Sequence, residues 1–210
     1  QAPRVAEIFD GVAANFTGAG AQLVDPVGLY VDTEVYEASY QVLLHEFKQG
    51  INAYFGGTPS LTELIAYNQA NAKEVMPWFG QNVFVEAEQS QLDAAAVAAA
   101  LAQGQGAIRQ LLDEVFDKFQ LDIVIAPTNA PAWPIDYVAG DRFGVSSSGL
   151  GAISGRPAIT LPAGQIHGLP VGVSLIGKMW GDAELLQIAA ALEKLLPAAP
   201  RPTFKPSLEP

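Results

Sequence analysis

The run Leu121-Asp122-Ile123-Val124-Ile125-Ala126-Pro127 decides the class of fold, because it separates two stretches of different character. It is short, rich in β-branched residues and closed by a proline, the pattern of a buried strand. Upstream of it the periodicity is helical. Val5, Ile8, Phe9, Val12 and Phe16 recur at the spacing of one apolar helix face, which Gly18 and Gly20 end. Ala21 to Val24 predicts a short strand. Asp32 is placed to cap a second helix whose apolar stripe reads Tyr40, Leu43, Leu44, Phe47, Ile51, Tyr54 and Phe55, closed by Gly56 and Gly57. Ser60 and Glu63 have capping-box spacing and open a helix through Tyr67 to Ala72. From Glu86 to Phe119 most residues are good helix formers, interrupted at Gly104 and Gly106.

Downstream, Pro127 to Gly155 is a long stretch rich in Pro, Gly and Ser, and long loops in compact domains usually carry function. Ala158 to Leu161 and Val171 to Ile176 predict two more strands, with Gly164 to Pro170 as the turn. A last helix runs from Asp182, its expected cap, through Leu185, Ile188, Ala189, Leu192 and Leu196, and Pro197 stops it. The chain therefore divides into a helical part over about 1–120, a strand and loop part over about 121–196, and a Pro-rich tail over 197–210. Helices first, then strands with a closing helix, indicate an α/β class with a mixed β-sheet of few strands covered by helices. So thin a sheet beside such strong helices reads as part of a larger one.

Composition narrows the function. The chain has 210 residues, 22 acidic against 11 basic for a net charge of −11, and is 50% hydrophobic, so it should fold around a core and stay soluble. Acidic balance excludes nucleic acid as the main partner, since no basic stripe faces a polyphosphate. The most apolar run, Ala94 to Ala102, is too short to span a membrane. Without cysteine there is no thiolate nucleophile, disulfide or sulfur-bound zinc, and the compartment stays open. The chain opens at Gln1 with no methionine and no signal peptide, which reads as a cut end.

His45 and His167 lack acidic neighbours at ligand spacing, so no metal is expected. Ser146-Ser147-Ser148-Gly149-Leu150-Gly151 offers hydroxyls on a Gly-flanked turn, yet it contains no G-x-S-x-G elbow and reads as the entry to a helix. Lys178 is the base that a Ser-Lys pair would require, although a solvated lysine in a turn suits its neighbours Trp180 and Gly181 better. Gly149-x-Gly151 follows no strand, which removes the dinucleotide reading. Trp133, among prolines on the long loop, is a candidate cleft-lining ring.

Several segments together resemble the amidase signature family of hydrolases. Ile51-Asn52-Ala53-Tyr54, Ser60 to Asn68, Trp78-Phe79-Gly80-Gln81 and Phe84 to Glu88 look like the middle of its peptide amidase branch. Leu121 to Thr128, Ser154-Gly155-Arg156-Pro157-Ala158 through Gly164, and Leu169-Pro170-Val171-Gly172-Val173 are similar to the family at large, and Asp182, Leu185 and Leu186 continue the match. The resemblance covers nearly the whole chain in order, as the C-terminal half of such an enzyme. It implies amide hydrolysis by a serine nucleophile, a second serine in a cis peptide bond and a lysine base, without a cofactor. That catalytic set precedes the segments matched here, so no catalytic residue is transferred to this chain. Where the family often carries an asparagine shortly before the Gly-x-Pro-Ala segment, this chain has Ala152.

The resemblance makes the N-terminal half of the same parent polypeptide the expected partner, and a small amide or peptide the substrate. Thr128, Asn129, Trp133 and Ser147 are the expected substrate-wall residues, because they offer hydroxyl, amide and indole groups from the long loop. Two alternatives stand beside the amidase fragment. One is a self-standing binding or scaffold module of the same fold, and the other a small serine hydrolase using Ser146, Ser147 or Ser148 with Lys178.

Overall fold

The computed structural model describes residues 3–199, 201 and 202. In chain order the elements are α1 (Pro3–Gly18), α2 (Thr33–Tyr54), α3 (Leu61–Ala70), α4 (Ala72–Val75), α5 (Asn82–Gln89), α6 (Ala94–Leu101), a π-helical segment (Ala102–Gly106) and α7 (Ala107–Phe119). They continue as β1 (Val124–Pro127), α8 (Ser148–Ser154), β2 (Ala158–Ile166), β3 (Leu169–Ile176) and α9 (Asp182–Leu192). The chain forms two compact units, one from the residues up to Leu29 together with those from Arg109 onward, the other from Tyr30–Ile108.

The first unit is built on a three-stranded sheet in the order β1-β3-β2. Both neighbours of β3 pair with it antiparallel, so the expected mixed sheet is corrected among the described residues. β2 and β3 are joined by a two-residue hairpin turn, shorter than the turn expected over 164–170, and this makes that pair antiparallel. His167 at φ 52° and Gly168 at φ 77° both lie in the left-handed region that such a turn demands. Pro162, Gly164 and Pro170 hide the inner ends of these two strands in the sequence. Pro162 lies on an edge strand beside a register shift, and Pro170 lies beyond the residues of β3 that β1 pairs.

β1 begins three residues later than its apolar run. Gln120 takes a positive φ of 50° and the Leu121 N–H returns to the Phe116 carbonyl, so Leu121 to Ile123 serve the exit of α7. The core of this unit joins Val12 and Phe16 of α1, Leu161 and Ala163 of β2, Val173 and Leu175 of β3, and Leu185 and Ala189 of α9. α1 thus belongs with the sheet, as its 3.6-residue apolar period allows. The segment Ala21 to Val24 is not a strand; it pairs with no strand among the described residues, and Leu23 and Val24 are exposed. Asp182 is the first residue of α9 rather than its cap, which is Gly181, and with Glu184 it places negative charge at the positive end of the helix. Most of the predicted Pro-rich tail, 200 and 203–210, lies outside the described residues.

The second unit is helical. Its capping box forms as read: Glu63 N–H donates to Ser60 Oγ, and Glu63 accepts the Ser60 backbone N–H at 2.7 Å. α2 closes by a Schellman arrangement, with Gly57 N–H to the Asn52 carbonyl, Gly56 N–H to Ala53, and both glycines at positive φ. The predicted interruption at Gly104 is a π-helical turn. Gly104 is required there, because a Cβ would stand 2.5 Å from Ser39 Oγ and 3.1 Å from the Ser39 backbone nitrogen. A small core joins Leu44, Leu61 and Ala87 with the partly buried Phe47, Ile51, Ile65 and Phe84. The expected buried face of α2 is only partly buried: Leu43 is 54% exposed and Tyr54 82% exposed. Periodicity correctly marks the apolar side of a helix, and nothing in the described residues covers that side fully.

Candidate functional site

The long loop leaves the sheet at the end of β1 and returns at α8. Thr128 extends the strand pairing, since its N–H donates to the Gly172 carbonyl at 2.9 Å. Asn129 and Ser146 form an antiparallel bridge, flanked by Ala130 N–H to the Val145 carbonyl at 2.9 Å and Ser147 N–H to the Thr128 carbonyl at 3.2 Å. These bonds pinch residues 129–146 into a loop with a closed neck. The structure therefore brings Thr128, Asn129 and Ser147 together at that neck.

Their polar groups differ in how they are used. Thr128 Oγ1 lies 2.8 Å from Ser174 Oγ, which in turn lies 3.4 Å from Thr160 Oγ1, making a line of hydroxyls across the sheet. Gly172 leaves room for it, because a Cβ there would meet Thr160 Cγ2 at 2.7 Å and Thr128 Oγ1 at 3.0 Å. Asn129 Oδ1 accepts the Ala130 N–H at 3.0 Å. Ser147 is 7% exposed, and its Oγ has no hydrogen-bond partner among the described residues.

Trp133 lies out along the loop. Its indole N–H donates to Asp141 at 3.0 Å and its ring meets Phe143 edge to face, centroids 6.0 Å apart. The expectation that this N–H serves a ligand gives way to an internal role, with only the ring left to offer. Asp136 accepts the backbone N–H groups of Val138 and Ala139 and lies 3.7 Å from Arg142. Those bonds, from Ala139 foremost and then Val138, hold its carboxyl below the ordinary range. Sequence reasoning missed Ser174 and Asp141. A serine inside an apolar strand was the signal for the first; the second was visible only as one of two acidic loop residues, with Asp136.

Ser146 and Ser148 have their hydroxyls 3.0 Å apart, and Lys178 is exposed in the turn before α9. Lys178 follows the far end of β3, six residues beyond Gly172, roughly 20 Å along an extended strand from the neck. The serine cluster and this lysine are not assembled as a nucleophile and base. No group of three or more His, Asp or Glu residues among the described residues could hold a metal ion.

The segment Ser154-Gly155-Arg156-Pro157 fixes α8 in place. Gly155 takes the left-handed cap at φ 72°, Arg109 Nε donates to the Ser154 carbonyl at 2.7 Å, and the buried Arg156 bonds Asp113 while lying 5.0 Å over the Phe116 ring. Ala152 sits exposed on that helix.

The amidase family model matches residues 1–186. This chain belongs to the amidase family. Mandelamide hydrolase of Pseudomonas putida is 29% identical over 191 residues, 81% of this chain and 37% of that enzyme. The native peptide amidase from Stenotrophomonas maltophilia superposes with a TM-score of 0.77 at 34% identity, over 90% of this chain and 39% of its own. A peptide amidase in complex with the competitive inhibitor chymostatin gives a TM-score of 0.80 at 36% identity, over 90% of this chain and 40% of that one. This amidase-family chain spans about two fifths of the length of these relatives. Its α/β fold with a small sheet is that of the amidase signature enzymes, and amide hydrolysis is the chemistry its relatives' names carry.

Proposed function

We propose that this chain is the C-terminal portion of an amidase signature hydrolase that cleaves carboxamide bonds, with a peptide amide or similar amide as substrate. The observation that carries the reading is the superposition on peptide amidase over 90% of this chain but 39% of that enzyme. The serine nucleophile, cis serine and lysine base belong to the preceding part of the same polypeptide. There the neutral lysine takes a proton, through the cis serine, from the nucleophile, which attacks the amide carbonyl; ammonia leaves, and water hydrolyses the acyl-enzyme. Backbone N–H groups hold the oxyanion.

In this account the present chain alone is inactive, supplying a sheet edge, helical cover and a substrate wall of Thr128, Asn129, Trp133 and Ser147. Two observations support the division of labour. Lys178 stands far from the only serine cluster on the loop, and the exposed apolar row Tyr36, Tyr40 and Leu43 of α2 offers the preceding part a surface to cover. A fluorophosphonate that labels activated serines tests the reading on the complete polypeptide. Peptide mapping should find the label upstream of this chain. Label on Ser146, Ser147 or Ser148 would contradict it and restore the independent serine hydrolase.

A further inference from the structure

α8 does not hold its own place. It has seven residues, two of them the glycines Gly149 and Gly151, and so short a helix of poor helix formers is unstable by itself. One end continues directly from the loop neck, where the Ser147 N–H donates to the Thr128 carbonyl. The other end is held by two arginines. Arg109 Nε of α7 donates to the Ser154 carbonyl at 2.7 Å, and its guanidinium lies so near Gly155 that a Cβ there would stand 3.2 Å from Nη2. The Arg156 N–H donates to Ser154 Oγ at 3.2 Å, and that hydroxyl donates in turn to the Leu150 carbonyl inside α8. Positive charge also suits the negative end of a helix. The Arg156 side chain reaches α7 and the end of β3 together: it bonds Asp113, lies over Phe116 and donates to the Gly177 carbonyl at 3.4 Å.

Stability does not account for Arg156. Its side chain is 2% exposed and its Nε has no partner among the described residues, while Asp113 is 65% exposed, so a buried charge faces a carboxylate for which water competes. Such a pair gains little over apolar side chains of the same size, and what it supplies is registry between the elements it joins. We propose that Arg156 and Arg109 are positioning residues for amide hydrolysis, which hold the C-terminal end of α8 and thereby set the placement of the loop neck against the substrate. This rests on the amide-hydrolase reading above and adds the residues that fix the geometry of its wall from behind.

The test uses the complete polypeptide and three readouts: ammonia release from N-acetylphenylalaninamide, the rate of labelling by a small fluorophosphonate, and Tm. Removing one partner of a buried pair strands the other, so both are replaced, Asp113→Leu together with Arg156→Met. Tm should stay near that of the parent, because apolar side chains of similar size fill the same space. kcat/KM for the amide should fall roughly tenfold or more, since a wall displaced by about 1 Å misplaces the scissile bond. The labelling rate should be unchanged, because the small probe needs the activated serine and not the wall. Arg109→Gln removes the other hold on Ser154 and should lower kcat/KM about threefold, the effect of one weak hydrogen bond, again with labelling unchanged. Full kcat/KM in one or both variants, a parallel loss of labelling, or a Tm several degrees lower in the double variant would each overturn the assignment, the last two by showing that the arginines hold the fold at large. Failure of the unsubstituted polypeptide to release ammonia would instead overturn the amide-hydrolase reading, and this inference with it.

Discussion

In the sheet unit, Phe16, Leu161, Val173, Leu175 and Leu185 come from four elements and close over one another, whereas in the helical unit a smaller cluster joins Leu44, Leu61 and Ala87, with Ala38, Val42 and Ile108 also buried. The helical unit also leaves Tyr36, Tyr54 and Tyr67 exposed. The difference lies in arrangement. A sheet with a helix on it covers its own apolar face, while helices set side by side each keep a second face that needs another partner. The sheet unit therefore packs the larger core of the two.

The largest effect that would break this contrast is expected in the sheet unit. Leu175 is fully buried in the core. Leu175→Ala should cost about 2–5 kcal/mol, read from denaturant unfolding with the slope unchanged. A cost no greater than that of an exposed substitution would mean this core is not what holds the unit. Next comes Gly104→Ala in the helical unit, where the new Cβ would press on Ser39 Oγ and its backbone. The expected cost is about 1–3 kcal/mol. Adding Ser39→Ala should recover only part of it, because the backbone nitrogen cannot move aside; full recovery would show that the contact is with the side chain alone.

Smaller still is the capping box at the start of α3. Ser60→Ala should cost about 1 kcal/mol, measured as amide exchange in the first turn as well as by unfolding. Smallest is the Asp136 contribution on the loop. Its carboxyl titrates below the ordinary value of 3.8 in the folded chain, so its stabilising effect is complete above that value and fades as pH falls through the lowered one. The stability difference between the parent and Asp136→Asn should be present near neutral pH and shrink in acid. A difference that grows on acidification would reverse the sign and refute the loop bonds.

The sequence was most legible where one local rule decided the outcome. The stripe on α1, the Ser60 to Glu63 box and the glycine break at Gly104 each depend on residues within a few positions of one another. Reading failed where the deciding partner was distant. Tyr54 has the right phase for a buried face but no full cover among the described residues, and the inner ends of β2 and β3 were masked by Pro162, Gly164 and Pro170, whose acceptability depends on which strand edge each occupies. At the candidate site, loop composition pointed to Thr128, Asn129, Trp133 and Ser147, of which the folded loop sets Thr128, Asn129 and Ser147 at its neck and Trp133 further out. It gave no sign that Asp141 would take the Trp133 N–H, because that bond exists only once the loop is folded.

The central proposal is that this chain completes an amidase whose chemistry lies in the rest of the polypeptide. Ammonia release from N-acetylphenylalaninamide, compared between the complete polypeptide and the 210-residue chain at equal concentration, tests it most directly. Release by the complete polypeptide and none above buffer by the chain alone is the predicted result. Release by the 210-residue chain alone would contradict it.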